Sequence, residues 1–242
     1  MMRTITSKDN QKVKLAYSLK LKKNREKTNL FLSEGKKNLD MAIEAKCVRI
    51  VFTKFDLFLD ENCNFEIYKV NEEIINKLSS EKNPEGIVFV AEKIDYNYSP
   101  DLYNKIVYLD DVSDPGNLGT IIRTALAFNY DAVVLSKNCV DFYNEKVISA
   151  SKGAMFFLPV FYGDLLDFKD RTIYVSSLDS KAKDLNYIQK TTKFILVLGN
   201  ESKGVSKESL ELANYIVKID ISDKIDSLNV AVAAGILMNY LR

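Results

Sequence analysis

The chain has 242 residues, of which 47% are hydrophobic and 28% are charged, and its net charge is +1. This composition is typical of a folded globular protein, and no segment approaches the roughly 18–20 apolar residues of a membrane span. The sequence contains no histidine, which excludes Ser-His-Asp and Cys-His catalysis and most catalytic zinc sites. The N-terminal segment lacks the apolar run of a signal peptide, so we expect a cytoplasmic protein.

Strands alternate with helices in the first 95 residues, which indicates a small α/β domain. The predicted elements are a helix capped by Ser7 or Asn10, a strand over 29–34 that turns at Gly35 into a second helix, buried strands over 48–53 and 86–92, and a helix over Asn71–Leu78.

The beginning of the chain is strongly basic. Residues 1–37 contain eleven Lys or Arg against three acids, a net charge of +8. Basic segments of this kind favour phosphate-bearing partners through counterion release. A solvated, lysine-rich helix face explains the charge equally well.

Residues 96–104 are polar and rich in tyrosine, and they predict a linker between domains 1–95 and 105–242. A second series of alternating strands and helices follows and predicts a mostly parallel sheet covered by helices. Its strands are predicted over 105–112, 131–136, 172–177 and 193–199, and its helices over 117–128, over 143–151 and from an N-cap at Ser227.

Ligands of open α/β sheets lie beyond the carboxyl ends of the strands, and here these loops are rich in Gly, Ser, Asn and Asp. Ordinary turns have the same composition. The span Gly199–Gly204 has the glycine spacing of a phosphate-binding loop, but Val205 stands where the lysine should be, which argues against phosphoryl transfer. Turn and cap roles explain Asp110, Asp111 and Asp114, so we predict no metal site.

Arg123 lies in a predicted helix whose other residues are apolar or small. A buried arginine needs a partner or a function, whereas an arginine that extends to solvent needs neither. Helical spacing allows Arg123 and Asn117 to point towards the same pocket.

The last predicted helix, from Ser227, is apolar on nearly all sides, which indicates burial of more than one face. Its own domain or a second subunit can provide that burial.

Three motifs together resemble those of the SpoU/TrmH family of RNA 2′-O-ribose methyltransferases, within the SPOUT superfamily. They are DDVSDPGNLGTIIRTALAF (110–128), LVLGNESKGVS (196–206) and SLNVAVAAGIL (227–237). The segment 148–160 resembles the family sequence between the first two motifs. The N-terminal part is similar to the RNA substrate-binding domain that often precedes this catalytic domain and is akin to small ribosomal RNA-binding proteins.

The resemblance implies a trefoil-knotted, parallel-sheet methyltransferase domain that works as a homodimer and binds S-adenosylmethionine in the knot. It implies cofactor contacts at Ser176, Ser177, Leu198, Gly199, Asn200, Gly204, Ile219 and Leu228. It implies catalytic roles for Arg123, Asn117, Glu201, Ser227 and Asn229. We expect RNA contacts at Lys22, Lys23, Arg25 and Lys36. One departure is that residues 217–226 lack the Pro-Met pair and the glycine common in the family.

These observations predict S-adenosylmethionine-dependent methylation of a ribose 2′-hydroxyl in structured RNA, with ribosomal RNA as the expected target. Two alternatives stay open: a non-catalytic RNA-binding or ribosome-assembly protein on the same fold, and a tRNA ribose methyltransferase.

Overall fold

A computed structural model describes residues 2–57, 64–96 and 98–242. The chain forms two compact units. The first unit comprises Met1–Asp95 and Tyr143–Phe156, and the second comprises Tyr96–Phe142 and Phe157–Arg242. None of the helices in the described ranges has the length and hydropathy needed to cross a membrane.

The first unit is a mixed five-stranded sheet with helices packed on it. Its strands lie in the order β1-β4-β3-β5-β2, with parallel β1–β4 and β4–β3 pairs and antiparallel β3–β5 and β5–β2 pairs. In chain order the elements before residue 95 are β1 (Arg3–Ile5), α1 (Gln11–Ser18), α2 (Lys22–Thr28), β2 (Leu30–Glu34), α3 (Lys36–Glu44), β3 (Val48–Thr53), β4 (Glu66–Val70), α4 (Glu72–Leu78) and β5 (Ile87–Glu92).

Local sequence explains several of these boundaries. The side chain of Asn10 caps α1 by accepting a hydrogen bond from Lys12 N (2.8 Å), and Asn71 caps α4 in the same way. Gly35 adopts φ +91°, which lets β2 turn directly into α3. The helix and strand predictions for this unit are confirmed, whereas β1, β4 and α2 were not predicted.

A segment from later in the chain completes the core of the first unit. This segment carries α6 (Glu145–Ser151) and packs against β2. Phe31 of β2 packs against the tilted ring of Tyr143 (ring centroids 4.9 Å apart) and stacks with Phe156 (6.1 Å). Tyr143–Phe156 therefore folds with residues 1–95, although it follows two strands of the second sheet in sequence.

The second unit contains a parallel seven-stranded sheet in the order β10-β12-β9-β11-β6-β7-β8. This confirms the predicted α/β class with a parallel sheet. Its elements are β6 (Lys105–Asp110), α5 (Pro115–Ala127), β7 (Ala132–Leu135), β8 (Val160–Tyr162), β9 (Thr172–Ser176), β10 (Lys183–Asp184), β11 (Phe194–Gly199), α7 (Lys207–Glu211), β12 (Tyr215–Lys218) and α8 (Val230–Leu241).

The last helix begins later than predicted. Asn229, not Ser227, is its N-cap, because the Asn229 side-chain oxygen accepts hydrogen bonds from Ala231 N (2.9 Å) and Val232 N (3.3 Å). Its own unit does not cover the whole helix, since Val232 is 53% exposed and Ile236 is 40% exposed.

The predicted linker packs onto the second unit. The Tyr98 hydroxyl donates to Asp167 (2.6 Å), and its ring meets Phe161 edge-on with the centroids 5.4 Å apart. Arg171 is buried and donates hydrogen bonds to the carbonyl oxygens of Pro100 and Tyr103. These contacts fix the path of the chain into β6.

Cys47 and Cys139 are free and buried. Cys63 lies outside the described residues.

Candidate active site

A cavity of about 530 Å³ opens where three neighbouring parallel strands end. The residues after β9, β11 and β12 line it, together with the first turn of α8. This is the edge of the sheet at which α/β proteins bind their ligands. The lining residues that had been predicted to bind a cofactor are Ser176, Ser177, Leu198, Gly199, Asn200, Gly204, Ile219 and Leu228.

The loop after β11 folds tightly back on itself. Asn200 and Gly204 exchange two backbone hydrogen bonds of 2.9 Å, and the Asn200 side chain accepts from Ser202 N and Lys203 N. A Cβ atom at Gly199 would lie 2.3 Å from backbone atoms of Gly204 and Val205. Only glycine therefore permits this close approach of two backbone segments at the wall of the cavity.

Glu201 connects that loop to the loop before α5. One carboxylate oxygen accepts from Asp114 N (3.2 Å) and from the Asn117 side-chain amide (3.0 Å). The other accepts from the backbone N and the hydroxyl of Ser113 (3.3 and 3.1 Å). The two loops are thus joined by four hydrogen bonds to one carboxylate.

Asn117 extends the connection to α8. Its side-chain oxygen accepts from the Asn229 amide nitrogen (2.9 Å), while the Asn229 oxygen caps α8. The helix N–H groups require an oxygen from Asn229, so its nitrogen must face Asn117. The nitrogen of Asn117 must then face Glu201, and all three side chains have a fixed orientation.

These hydrogen bonds also keep Glu201 ionised. Partial desolvation raises the pKa of the Glu201 carboxyl, but the hydrogen bonds from Asn117 and from nearby backbone N–H groups outweigh it. The pKa of Glu201 is therefore held below its ordinary value.

The aspartates of the first motif have structural roles, as predicted. Asp114 caps α5 by accepting from Asn117 N (2.7 Å). Asp111 has φ +61° and accepts from the Ser136 hydroxyl and the Asn138 amide. Asp110 is buried and accepts from Ser206 N and the Ser209 hydroxyl, both at 2.7 Å. These two hydrogen bonds, by which Asp110 holds the end of the 200–205 loop, were not predicted.

Arg123 stands apart from the residues above. It is exposed on α5 and does not line the cavity, whereas Glu201, Ser227 and Asn229 do. Of the two possibilities left open for Arg123, the structure shows the solvent-exposed side chain, and the buried side of α5 is formed by other residues, among them Leu118, Ile121 and Ile122. Glu201 pairs with Asn117 and not with Arg123.

Among the predicted RNA contacts, Lys22, Lys23 and Lys36 are exposed. The predicted RNA contact at Arg25 is corrected, because this side chain is 6% exposed and donates to the carbonyl oxygens of Leu19 (2.8 Å) and Lys20 (2.9 Å). It fastens α2 to the end of α1, which leaves it unsuited to contact RNA.

Comparison with known proteins agrees with this geometry. The SpoU rRNA Methylase family matches residues 104–239, and the MRM3-like substrate binding domain matches residues 10–88. The family match contains all three loops that Glu201, Asn117 and Asn229 connect.

Relatives align with most of this chain. The chain is 33% identical over 250 residues to the 23S rRNA (guanosine(2553)-2′-O)-methyltransferase RlmP of Bacillus subtilis, and the alignment covers 100% of both chains. It is 28% identical to the mouse mitochondrial rRNA methyltransferase 3, covering 88% of this chain and 67% of that protein. The crystal structure of an AdoMet-bound rRNA methyltransferase from Sinorhizobium meliloti superposes with a TM-score of 0.88 at 28% identity and covers 100% of this chain and 97% of that one. The protein is a methyltransferase that belongs to the SpoU rRNA methylase family.

Proposed function

We propose that this protein transfers a methyl group from S-adenosylmethionine to a ribose 2′-hydroxyl of ribosomal RNA. The observation that carries the proposal is the cavity at the ends of β9, β11 and β12, whose walls are tied together through Glu201, Asn117 and Asn229. The name of the Bacillus subtilis relative supports 2′-O-methylation of rRNA, and that of the mouse relative supports rRNA as the substrate.

The cavity suits S-adenosylmethionine. Its volume lies within the range of roughly 300–1,000 Å³ that small-molecule sites occupy. Ile219 and Leu228 offer apolar surface for a planar base, and the serines at the end of β9 offer hydroxyl groups. The glycine-dependent turn at Gly199 brings backbone N–H and C=O groups to the wall of the cavity. The cofactor supplies an electrophilic methyl group on a sulfonium.

In this proposal the protein acts mainly by orientation. A ribose hydroxyl is a weak nucleophile, and holding it in line with the methyl group supplies much of the rate. Arg123 positions the adjacent phosphate and stabilises the developing alkoxide. A guanidinium stays protonated in proteins, so it is a poor proton acceptor. Asn117 and Glu201 hold the loops in place, and Ser227 and Asn229 shape the pocket.

We infer that the active form is a homodimer. Val232 and Ile236 expose apolar surface on α8, and α8 packs beside α5, which carries Arg123. A second copy of the chain that covers this face would bury both apolar side chains. It would also bring Arg123 towards the cavity of the other copy. A trefoil knot in the second unit remains part of the proposal.

The first candidate substrate is 23S rRNA, because a relative of the same length is named for guanosine 2553 of that molecule. The substrate-binding domain match supports an RNA target. Methylation of this RNA would occur in the cytoplasm.

The reaction is tested with purified protein, methyl-labelled S-adenosylmethionine and 23S rRNA from a strain that lacks the gene. We expect label at one ribose O2′, which makes the adjoining phosphodiester resistant to alkali. Calorimetric titration with S-adenosylmethionine distinguishes a methyltransferase from the alternative, a non-catalytic RNA-binding protein. Absence of both binding and transfer would favour that alternative, and label on a base would contradict the proposal.

A further inference from the structure

An exposed aromatic side chain lies at the end of α1 in the first unit. Tyr17 is 48% exposed, and Leu21, which precedes α2, is 57% exposed. The neighbouring α1 residues Val13 and Ala16 are fully buried, so the helix is anchored from its other face. Tyr17 is thus a solvent-facing ring on a fixed support.

Two lysines are held close to this ring. The Lys77 ammonium lies 5.3 Å from the centroid of Tyr17, and that of Lys20 lies 5.7 Å from it. Lys77 Nζ donates to the Lys8 carbonyl (3.2 Å), and Lys20 Nζ donates to the Ser79 carbonyl (2.9 Å). Backbone carbonyls from two different segments therefore hold both ammonium groups in place.

The charge of these two lysines is not neutralised by a salt bridge. Within residues 2–57, 64–96 and 98–242, neither Lys20 nor Lys77 has a carboxylate within 4.0 Å. Two nearby acids form salt bridges with other lysines: Glu73 with Lys8 (3.0 Å) and Asp9 with Lys14 (3.0 Å). The surface around Tyr17 accordingly has a surplus of positive charge.

We propose that Tyr17, Lys20, Leu21 and Lys77, the Tyr17 surface, bind an unpaired segment of the substrate RNA. The inference rests on the proposed function for its ligand class. An exposed ring accepts a stacked base only where the base is out of a duplex, and ammonium groups beside the ring neutralise the flanking phosphates. Leu21 adds apolar contact with a base or sugar. None of these four residues was among the expected RNA contacts.

The test of the ring uses the full-length protein and protein-free 23S rRNA, with a duplex RNA of fixed length as a second probe. Base stacking on an aromatic ring contributes about 1–3 kcal/mol, so Tyr17→Ala should raise the Kd for 23S rRNA by roughly 5- to 150-fold. The Kd for the duplex should stay within about twofold. Tyr17→Phe keeps the ring and should restore the affinity. Equal loss on both probes would overturn the stacking role.

The matched control is Phe55→Ala in the same unit. Phe55 is 49% exposed, but the charges beside it are paired, Lys54 with Glu72 (3.3 Å) and Asp56 with Lys69 (2.7 Å). This variant should leave the Kd for 23S rRNA unchanged. Thermal unfolding of all three variants checks that the first unit stays folded.

The charge is tested separately with Lys20→Gln and Lys77→Gln. Each variant should show a weaker salt dependence, with the steepness of log K against log salt reduced by about 1, because each lysine neutralises one phosphate. Unchanged slopes would contradict the phosphate contacts. If the wild-type protein transfers no methyl group to RNA, the proposed function fails. If it methylates normally and the Tyr17→Ala variant has an unchanged KM for RNA, only the Tyr17 surface fails.

Discussion

The Glu201 carboxylate supports the geometry of the cavity. It joins the second motif to the first through contacts that span 84 to 88 positions in the sequence. Asn117 then carries the connection to Asn229 over 112 positions. The three motifs are thus one hydrogen-bonded unit in space.

The motif residues were predictable from the sequence, but their partners were not. Gly, Ser, Asn and Asp at strand ends predicted a pocket, and Asn10 was one of two predicted caps of the first helix. Ser227 was chosen over Asn229 because both residues suit an N-cap and only the backbone path separates them. Arg25 was predicted to contact RNA because it lies in a basic segment. Its burial depends on tertiary packing, which the sequence does not show.

We predict that Arg123→Ala lowers methyl transfer to 23S rRNA by at least about 100-fold, as does the loss of other groups that stabilise developing charge. Because Arg123 does not line the cavity, the affinity for S-adenosylmethionine should be unchanged. Single-turnover methylation and calorimetry measure the two effects. Near-normal transfer by this variant would remove Arg123 from the mechanism.

A second residue-scale prediction concerns the pH dependence of stability. The hydrogen bonds to Glu201 lower its pKa in the folded protein, so they stabilise the fold where the carboxyl is ionised. Their contribution is complete above the ordinary pKa and is lost as the pH falls through the lowered value. Urea unfolding should therefore show a constant deficit of Glu201→Gln relative to wild type above about pH 5 and a shrinking deficit below it. A deficit that grows on acidification would contradict this assignment.

At the scale of elements, the turn after β11 depends on the absence of a side chain at Gly199. The added Cβ of Gly199→Ala would collide with the backbone of Gly204, so we expect the turn to open and S-adenosylmethionine affinity to fall by at least about tenfold. Calorimetry measures the affinity, and circular dichroism should remain unchanged.

Gly204→Ala is the matched control for this turn. Gly204 has φ +71°, but a Cβ atom there would meet nothing within 4 Å. The variant should lose about 1 kcal/mol of stability and little affinity. Equal affinity losses at the two glycines would show that backbone strain, and not the close approach, governs the turn.

The segment around α6 illustrates a limit of sequence patterns at this scale. A helix over 143–151 was predicted, but helical periodicity cannot say which core will cover its apolar face. In the structure Tyr143 and Phe156 pack on Phe31 of the first unit.

We predict that Phe156→Ala destabilises the first unit, although position 156 lies within the SpoU family match. Phe156 is 3% exposed, and truncation of a buried phenylalanine costs about 3–5 kcal/mol. Amide hydrogen exchange should become faster in β2 and β5 while β6 and β11 keep their protection. Leu166→Ala, at an exposed position of the second unit, provides the comparison. Equal deprotection of both sheets would contradict the assignment of this segment.

At the scale of the whole molecule, alternating strands and helices predicted the parallel sheet because buried parallel strands read as continuous apolar runs. The edge strands β8 and β10 and the neighbouring β12 were missed because they have only 3, 2 and 4 residues. The knot came from family resemblance alone, since periodicity carries no information about chain threading, whereas the apolar last helix left a second subunit open before the resemblance implied a dimer.

The proposed dimer gives a prediction at this scale. Ile236→Asp would place an unpaired carboxylate in the interface, so the dimer dissociation constant should rise by roughly 30-fold or more. Sedimentation measures it, with Leu166→Asp as a control at another exposed apolar position. If Arg123 serves the cavity of the other copy, a mixture of the Arg123→Ala and Gly199→Ala variants should be more active than the two variants assayed separately. A wild-type monomer with full activity would contradict the dimer.

The central claim is ribose methylation of ribosomal RNA, and its most direct test is to map 2′-O-methyl groups across total RNA with and without the gene. We predict that one 2′-O-methyl nucleotide, in 23S rRNA, disappears on deletion and returns with the wild-type gene but not with the Arg123→Ala variant. An unchanged map of ribosomal RNA, or a loss confined to transfer RNA, would contradict the account.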